Sequence, residues 1–332
     1  LHRAGAQDLN RLVNLHNIDC DWSQRGKFMV ATSDYATKNL YATQEFLKNL
    51  GEPSDLLGRD ALAERLGTRC YKIGLYSPGT YLMNPAALTR GLAASMPDNV
   101  TVYENSPIQQ IQFGKEIIAE TLQGKITAGA AIVAANGFTE NFGFYRRKLF
   151  NVMSFASLTR PLTEEQQTRL GGTRDWGVHP VGAAGATIRR TLDERIWLRT
   201  SFRYTPEIHC KEENLQRYEA KNVADFKTRF PMLGEPDFEY TSGGGLCFSQ
   251  NQEPIFEKRS ENLFIIGCQN AIGVSKSTIH GRLIADWAAG CESELLQDAQ
   301  AYGKPSQLPP EPFLGIGVRA RFAFEKWKGE NG

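Results

Sequence analysis

The sequence predicts an α/β chain, in which buried strands feed helices, with an α+β second part built on a mostly antiparallel sheet. Three observations carry this. Leu263-Phe264-Ile265-Ile266 is a short apolar run bounded by Asn262 and Gly267, as expected of a strand covered on both faces. From Val274 the apolar spacing changes to Ile279, Leu283, Ile284, Trp287 and Ala288, one face of an α-helix. Residues 154–159, 182–190 and 195–200 are strand-like and separated by turn signals, the pattern of an antiparallel sheet.

The bulk numbers bound the rest. A chain of 332 residues, 41% hydrophobic, has ample core for two domains. A net charge of +1 supplies no electrostatic argument for nucleic acid or an anionic membrane. No apolar run approaches the ~20 residues of a membrane span. The six cysteines are scattered without a CxxC pair and the five histidines are dispersed, so neither a disulfide framework nor a metal site is expected. A reduced, cytoplasmic setting is the simplest reading.

Taken in order, residues 1–17 read as a helix with Leu9, Leu12 and Val13 on one side. Lys27-Phe28-Met29-Val30-Ala31 reads as a strand, and Ser33 or Asp34 caps a helix over 35–50 that stops at Gly51. A short helix over 61–66 is expected to be capped by Asp60 and stopped by Gly67. Residues 71–81 are Gly- and Pro-punctuated and read as irregular. Asn84-Pro85 opens a helix, since Pro is tolerated in a first turn. Val100-Thr101-Val102-Tyr103 has strand composition, residues 117–126 form a hairpin broken at Gly124, and 131–137 (AIVAANG) reads as a buried parallel strand. Thr163 or Glu164 opens a short helix, residues 214–230 form a longer one ending before Pro231, and 238–248 return through Gly243-Gly244-Gly245. The tail beyond Ala301 is Pro-rich, then aromatic and basic.

The most informative stretch is 262–290. Gly267 and Gly273 bracket a loop that lets another body approach, because neither carries a Cβ. Ser275, Ser277 and Thr278 fall in the first helical turn, where unpaired N–H groups and the positive dipole end face outward. The stretch either holds negative charge there or only turns the chain. Lys276 is the one cation in that turn, against the dipole; it either serves a site or points to solvent.

The run GCQNAIGVSKSTIHGRLIAD resembles the C-terminal flavin-contacting motif of the D-amino-acid oxidase-like family of FAD oxidoreductases. The resemblance implies FAD as cofactor, with Gly267, Gly273, Val274, Ser275, Lys276, Ser277 and Thr278 against the pyrimidine end of the flavin. A helix N-terminus there stabilises the charge of reduced flavin near N1 and C2. It also places Ala135 and Asn136 beside the cofactor at the carboxyl edge of the sheet. Ile108 would line the adenine site, and Gly244 would lie near the flavin edge. Ser242 stands where the family usually has Trp. Lys276 and Tyr240 are the candidate catalytic residues, and Arg189 or Arg190 would hold a substrate carboxylate.

The implied chemistry is hydride transfer from the carbon bearing an uncharged amine of an amino acid or amine to flavin, giving an imine that hydrolyses. The implied division assigns 1–75 to a segment associated with the substrate domain and 76–137 to the FAD-binding domain. Residues 138–237 form the substrate domain, and 238–332 the C-terminal part of the FAD-binding domain and a tail. The family's G-x-G-x-x-G turn and its acidic ribose ligand do not occur. Gly315-Ile316-Gly317 has no preceding strand and is rejected. The FAD-binding domain is therefore read as incomplete, with a missing N-terminal segment or a partner chain as its complement, and strands 131–135 and 263–266 are expected to lack neighbours. The alternative function is a non-catalytic fragment or partner-binding subunit of a flavoprotein, without tight FAD binding.

Overall fold

The strand Leu263–Gly267 is buried at all five positions because both faces are covered, Leu263 and Ile265 by Leu149 and Val133, Phe264 and Ile266 by Ile284 and Trp287, and a strand lies on each of its edges. Ile255–Ser260 pairs with it antiparallel, and Ala131–Val133 pairs with it parallel, Ile265 opposite Val133. The expectation that 263–266 lacks neighbours is therefore corrected. Ala131–Val133 is one of the two edge strands of this sheet, with Ile132 43% exposed. The computed structural model describes residues 1–182 and 185–331 and divides the chain into two units.

The first unit comprises Leu1–Cys20, Asn84–Asn151 and Leu246–Glu311. Its central helix, Gly273–Ala288, buries Ile279, Leu283 and Ile284, while Trp287 packs on Phe256 and Phe264. Helix His2–Leu15 lies against it through Gly5, Leu9 and Val13, with Asp8 paired to Arg282 at 2.6 Å. This contact places residues 1–20 in the first unit, whereas the sequence reading groups 1–75 together. The expected hairpin is present as Ile117–Glu120 against Lys125–Ala128, joined by Gln110–Gln112. Asn84 caps helix Pro85–Ala94 as expected. Residues 100–103 do not form the expected strand; Val102 and Tyr103 are exposed. Their β-propensity needs a neighbouring strand to pack on, and among the described residues none lies beside them.

The second unit comprises Asp21–Met83, Val152–Gly245 and Pro312–Gly332. Its eight-stranded sheet runs Phe238–Phe248, Phe150–Thr159, Ile196–Tyr204, Thr187–Arg190, Trp176–Pro180, Lys27–Ala31, Ile73–Ser77, Asp55–Gly58. The pairing of Lys27–Ala31 with Trp176–Pro180 is parallel; the pairings of Phe150–Thr159 with Ile196–Tyr204 and of Lys27–Ala31 with Ile73–Ser77 are among the antiparallel ones. One face is dry: Phe28, Val30, Trp176, Val178, Ile188, Ile196 and Leu198 pack with Leu62, Leu66, Phe226 and Phe230 from helices and their ends.

Ser33 caps helix Asp34–Asn49, Thr163 forms a reciprocal capping box on Glu164–Leu170, and Gly67 ends Arg59–Leu66 at φ 75°. Asp60 does not cap that helix: Gly58 is at the N-cap, and Asp60 pairs with Arg69. Within the stretch read as irregular, Ile73–Ser77 is a strand. Of the expected strand 182–190, the observed part is Thr187–Arg190, and residues 183–184 lie outside those described. The tail forms helix Phe313–Asn331, which joins the second unit and contains Gly315-Ile316-Gly317. Among the described residues no helix is long and apolar enough to cross a membrane, and no group of His, Cys, Asp or Glu is arranged to hold a metal.

Candidate active site

In the first unit the carboxyl ends of the two parallel strands converge on one point. A Cβ on Gly267 would lie 3.0 Å from Asn136 Cα, so the backbones touch because residue 267 has no side chain. The Cys268 N–H donates to Asn136 Oδ1 at 2.9 Å, and Ala135 precedes the 3-10 turn that Asn136 starts. Cys268, Asn270 and Ala271 all have φ between 51° and 60°, which carries the chain sharply away from the strand. Asn270, 6% exposed, holds that path: its Oδ1 accepts the Ser249 N–H at 2.9 Å and its Nδ2 donates to Gln252 O at 2.9 Å.

The loop delivers helix Gly273–Ala288 with no side-chain cap at Ile272 and no acidic residue in its first turn. Its leading N–H groups are left for an external acceptor. Ile272 and Val274 stand exposed at this tip, at 62% and 41%. Ser277 is exposed beside Gly273, the Thr278 hydroxyl donates back to Val274 O, and Ser275 Oγ lies 3.2 Å from His2 Nδ1. Ile108 is half-buried in the extended segment before Gln110–Gln112.

Lys276 does not point freely to solvent. Its ammonium sits 5.1 Å from the centre of the Tyr302 ring, and burial lowers its pKa against the opposing pull of Glu253 and Cys268. One turn on, His280 is fully buried, its Nδ1 3.2 Å from the Gln269 side-chain amide. Burial first, then the Lys276 charge, lowers its pKa to about 4. Below pH 6.5 the unfolded chain takes up the proton that the folded chain refuses, so stability is full above about pH 6.5 and falls as pH drops toward 4. Denaturant titrations should show about 2 kcal/mol lost between pH 7 and pH 5 through this group. His280→Leu should flatten that part of the profile.

In the second unit, Ser157 Oγ meets Thr241 Oγ1 at 2.8 Å on the helix-covered face, so Tyr240 and Ser242 face the other way. Tyr240 is 61% exposed. Gly244 accepts the Ser154 hydroxyl, and a Cβ there would meet nothing nearer than 3.9 Å. Arg189 faces the Tyr240 side and hydrogen-bonds Met83 O, with Asp175 3.6 Å away. Arg190 faces the core, paired with Glu194 at 2.7 Å and donating to the Gly171 and Thr173 carbonyls. The expectation that Arg190 holds a substrate carboxylate is thereby corrected: its donors are occupied inside the fold.

Sequence reasoning missed a row of side chains on the Tyr240 side. Register places Met29 beside His179 and Thr187 beside Arg199, which in turn lies beside Ala156. Arg199 donates to Thr187 Oγ1 and stacks 4.4 Å from the Phe202 ring centre. Lys27, two residues before Met29 on the same strand, shares this face. On the opposite, helix-covered face, a cavity of about 640 Å³ is lined by Val30, Tyr71, Ala186, Thr200 and Arg229. Ser201, Lys221 and Asp225 also line it, and Tyr240 does not.

A family model described as FAD-dependent oxidoreductase matches residues 1–287. The chain is 24% identical over 317 residues to gamma-glutamylputrescine oxidoreductase of Escherichia coli K12, covering 94% of this chain and 70% of that protein. It is 23% identical over 242 residues to a probable oxidoreductase OrdL of Rhizobium meliloti, covering 72% and 54%. Among solved structures, glycine oxidase from Geobacillus kaustophilus superposes with TM-score 0.75 at 18% identity, over 93% of this chain and 81% of that one. L-proline dehydrogenase from P. horikoshii gives 0.71 at 13%, over 93% and 83%. With the family model spanning most of the chain, and the fold shared with amino-acid oxidases, this chain belongs to the DAO family of FAD-dependent oxidoreductases.

Proposed function

We infer that the chain oxidises the CH–NH bond of an amine or amino acid, passing a hydride to FAD. The observation that carries this reading is the bare helix tip at the carboxyl end of the central strand, flanked by exposed Ile272 and Val274. These residues fit a flavin: an apolar surface for the ring, and uncapped N–H groups for its electron-rich pyrimidine edge. When bound, FAD supplies the hydride acceptor.

The backbone of Gly273, Val274, Ser275 and Lys276 would hold that edge, with Gly267, Ala135 and Asn136 fixing the sheet end behind it and Ser277 and Thr278 completing the turn. Ile108 would contact the adenine end. Lys276, kept side-on by Tyr302, would add positive potential beside the tip. The first unit would then be the cofactor unit and the second the substrate unit, with Tyr240 orienting the amine.

The test is spectroscopic. The purified chain supplied with FAD should show protein-bound flavin absorbance, and a panel of amines and amino acids should bleach it anaerobically. A chain that takes up no added FAD would instead favour a partner-binding subunit, for which the exposed Ile132 edge is the natural surface.

A further inference from the structure

We propose that the cavity of about 640 Å³ lined by helices Asp34–Asn49, Glu212–Arg229 and Phe313–Asn331 binds an aromatic hydroxy acid: a flat apolar body with a negative group at one end and a neutral oxygen at the other. The site lies wholly within the second unit and does not depend on the oxidoreductase reading.

The room is made by small residues. Ala36, Ala186, Ala224 and Ala323 line the space from four separate parts of the chain, and its volume is that of a small-molecule pocket rather than a packing defect. The rings of Tyr35, Phe202 and Phe322 supply apolar walls, the last two with centres 6.3 Å apart.

The two ends differ in charge. At the buried floor Tyr71 is 2% exposed, and its Oη completes no hydrogen bond of normal geometry among the described residues. Arg229 Nε is buried and unsatisfied as well, and the Arg229 charge acts directly on the Tyr71 phenol. Because Arg229 is paired with Asp225 at 2.6 Å, this end is close to neutral and offers two donors to one oxygen. Buried donors without an acceptor are costly, and a neutral ligand oxygen between them satisfies both.

The other end is cationic. Lys221 sits 5.2 Å from the centre of the Tyr218 ring, and burial, then the charges of Lys326 and Arg217, lower its pKa against the pull of Asp225. The acids that line the cavity are spent elsewhere, Asp225 on Arg229 and Glu325 on Arg321, at 2.6 Å each. An anion beside Lys221 and Lys326 relieves their mutual repulsion. Lys221 and Arg229 are eight residues apart on one helix, about 12 Å at ~1.5 Å per residue, a span suited to a two-ring acid.

The probe is 6-hydroxy-2-naphthoate, titrated by calorimetry into the FAD-supplied chain beside 2-naphthoate, which lacks the far oxygen, and 2-naphthol, which lacks the anion. The hydroxy acid should bind one to one, at least about tenfold tighter than either, and with the same affinity when FAD is left out. Tyr71→Phe should bring it level with 2-naphthoate, and Lys221→Met level with 2-naphthol, each variant keeping the other preference. Both should melt close to the parent, since one removes only an unsatisfied hydroxyl and the other an exposed side chain. Ala224→Trp, at an exposed helix position, should close the cavity and abolish binding of all three probes. Should Ala224→Trp fail to fold, the selectivities of the other two variants decide. No binding to the parent, displacement of the probe by FAD, or equal binding to the parent and the variants overturns the site. A parent that binds the three probes alike has an unselective apolar cavity, which overturns the assignment of its two ends.

Discussion

Gly5→Val is expected to lower the stability of the chain by about 3 kcal/mol and to remove FAD binding with it. A Cβ at Gly5 would lie 2.0 Å from the Ser275 carbonyl oxygen and 3.3 Å from Ile279 Cβ. The obstacle is helix backbone, which cannot rotate away as a flexible side chain can. The two helices must separate, exposing Leu9, Val13 and Ile279 and stretching the Asp8–Arg282 pair. Because the contact falls on Ser275, the displaced turn is the one proposed to hold the flavin. Against a typical total of about 5–15 kcal/mol, such a loss is large. Urea unfolding should show an earlier midpoint for Gly5→Ala and a still earlier one for Gly5→Val. Parent-like unfolding of Gly5→Val would contradict a close backbone contact between the two helices.

Ile272→Asp should move stability and cofactor binding in opposite directions. Ile272 is the N-cap residue, is mostly exposed and leaves the first-turn N–H groups uncapped. An Asp there accepts one of those N–H groups and meets the dipole, together worth about 1 kcal/mol or slightly more. The same carboxylate occupies the donors meant for the flavin and sets negative charge against its electron-rich edge. The FAD-free chain should therefore melt at higher temperature, while FAD affinity falls about tenfold or more, since each factor of ten is about 1.4 kcal/mol. A merely structural tip would gain the cap and leave FAD binding unchanged.

Much of the fold is written in local pattern. The apolar run at Leu263–Gly267 and the switch to helical spacing after it both appear where their pattern places them. Caps at Ser33, Asn84 and Thr163 are legible because each is a short-range side-chain to backbone bond. What the sequence hides depends on distant partners. Residues 100–103 have strand composition but no strand beside them among the described residues. Ile73–Ser77 has Gly74 and flanking turns, yet pairing on both edges makes it a strand. Helix Phe313–Asn331 carries apolar residues on several sides and three glycines, so no single period announces it.

The candidate site divides in the same way. The helix tip is contiguous in sequence and could be read from it; the Lys27–His179–Arg199 row could not. Five dispersed histidines gave no hint of one poised between a lysine near the start of the chain and an arginine in its second half, because only sheet register assembles them. Arg189 and Arg190 show the reverse limit: adjacent residues on a strand alternate faces, and only the structure tells which one is consumed by Glu194.

The placement of the flavin is tested most directly by hydrogen–deuterium exchange of a peptide spanning residues 268–279, with and without FAD. In the free chain the uncapped amides of Gly273, Val274 and Ser275 should exchange rapidly, and FAD should slow them strongly. FAD bound with full spectral signature, but with exchange at this turn unchanged, would contradict a flavin seated at the helix tip.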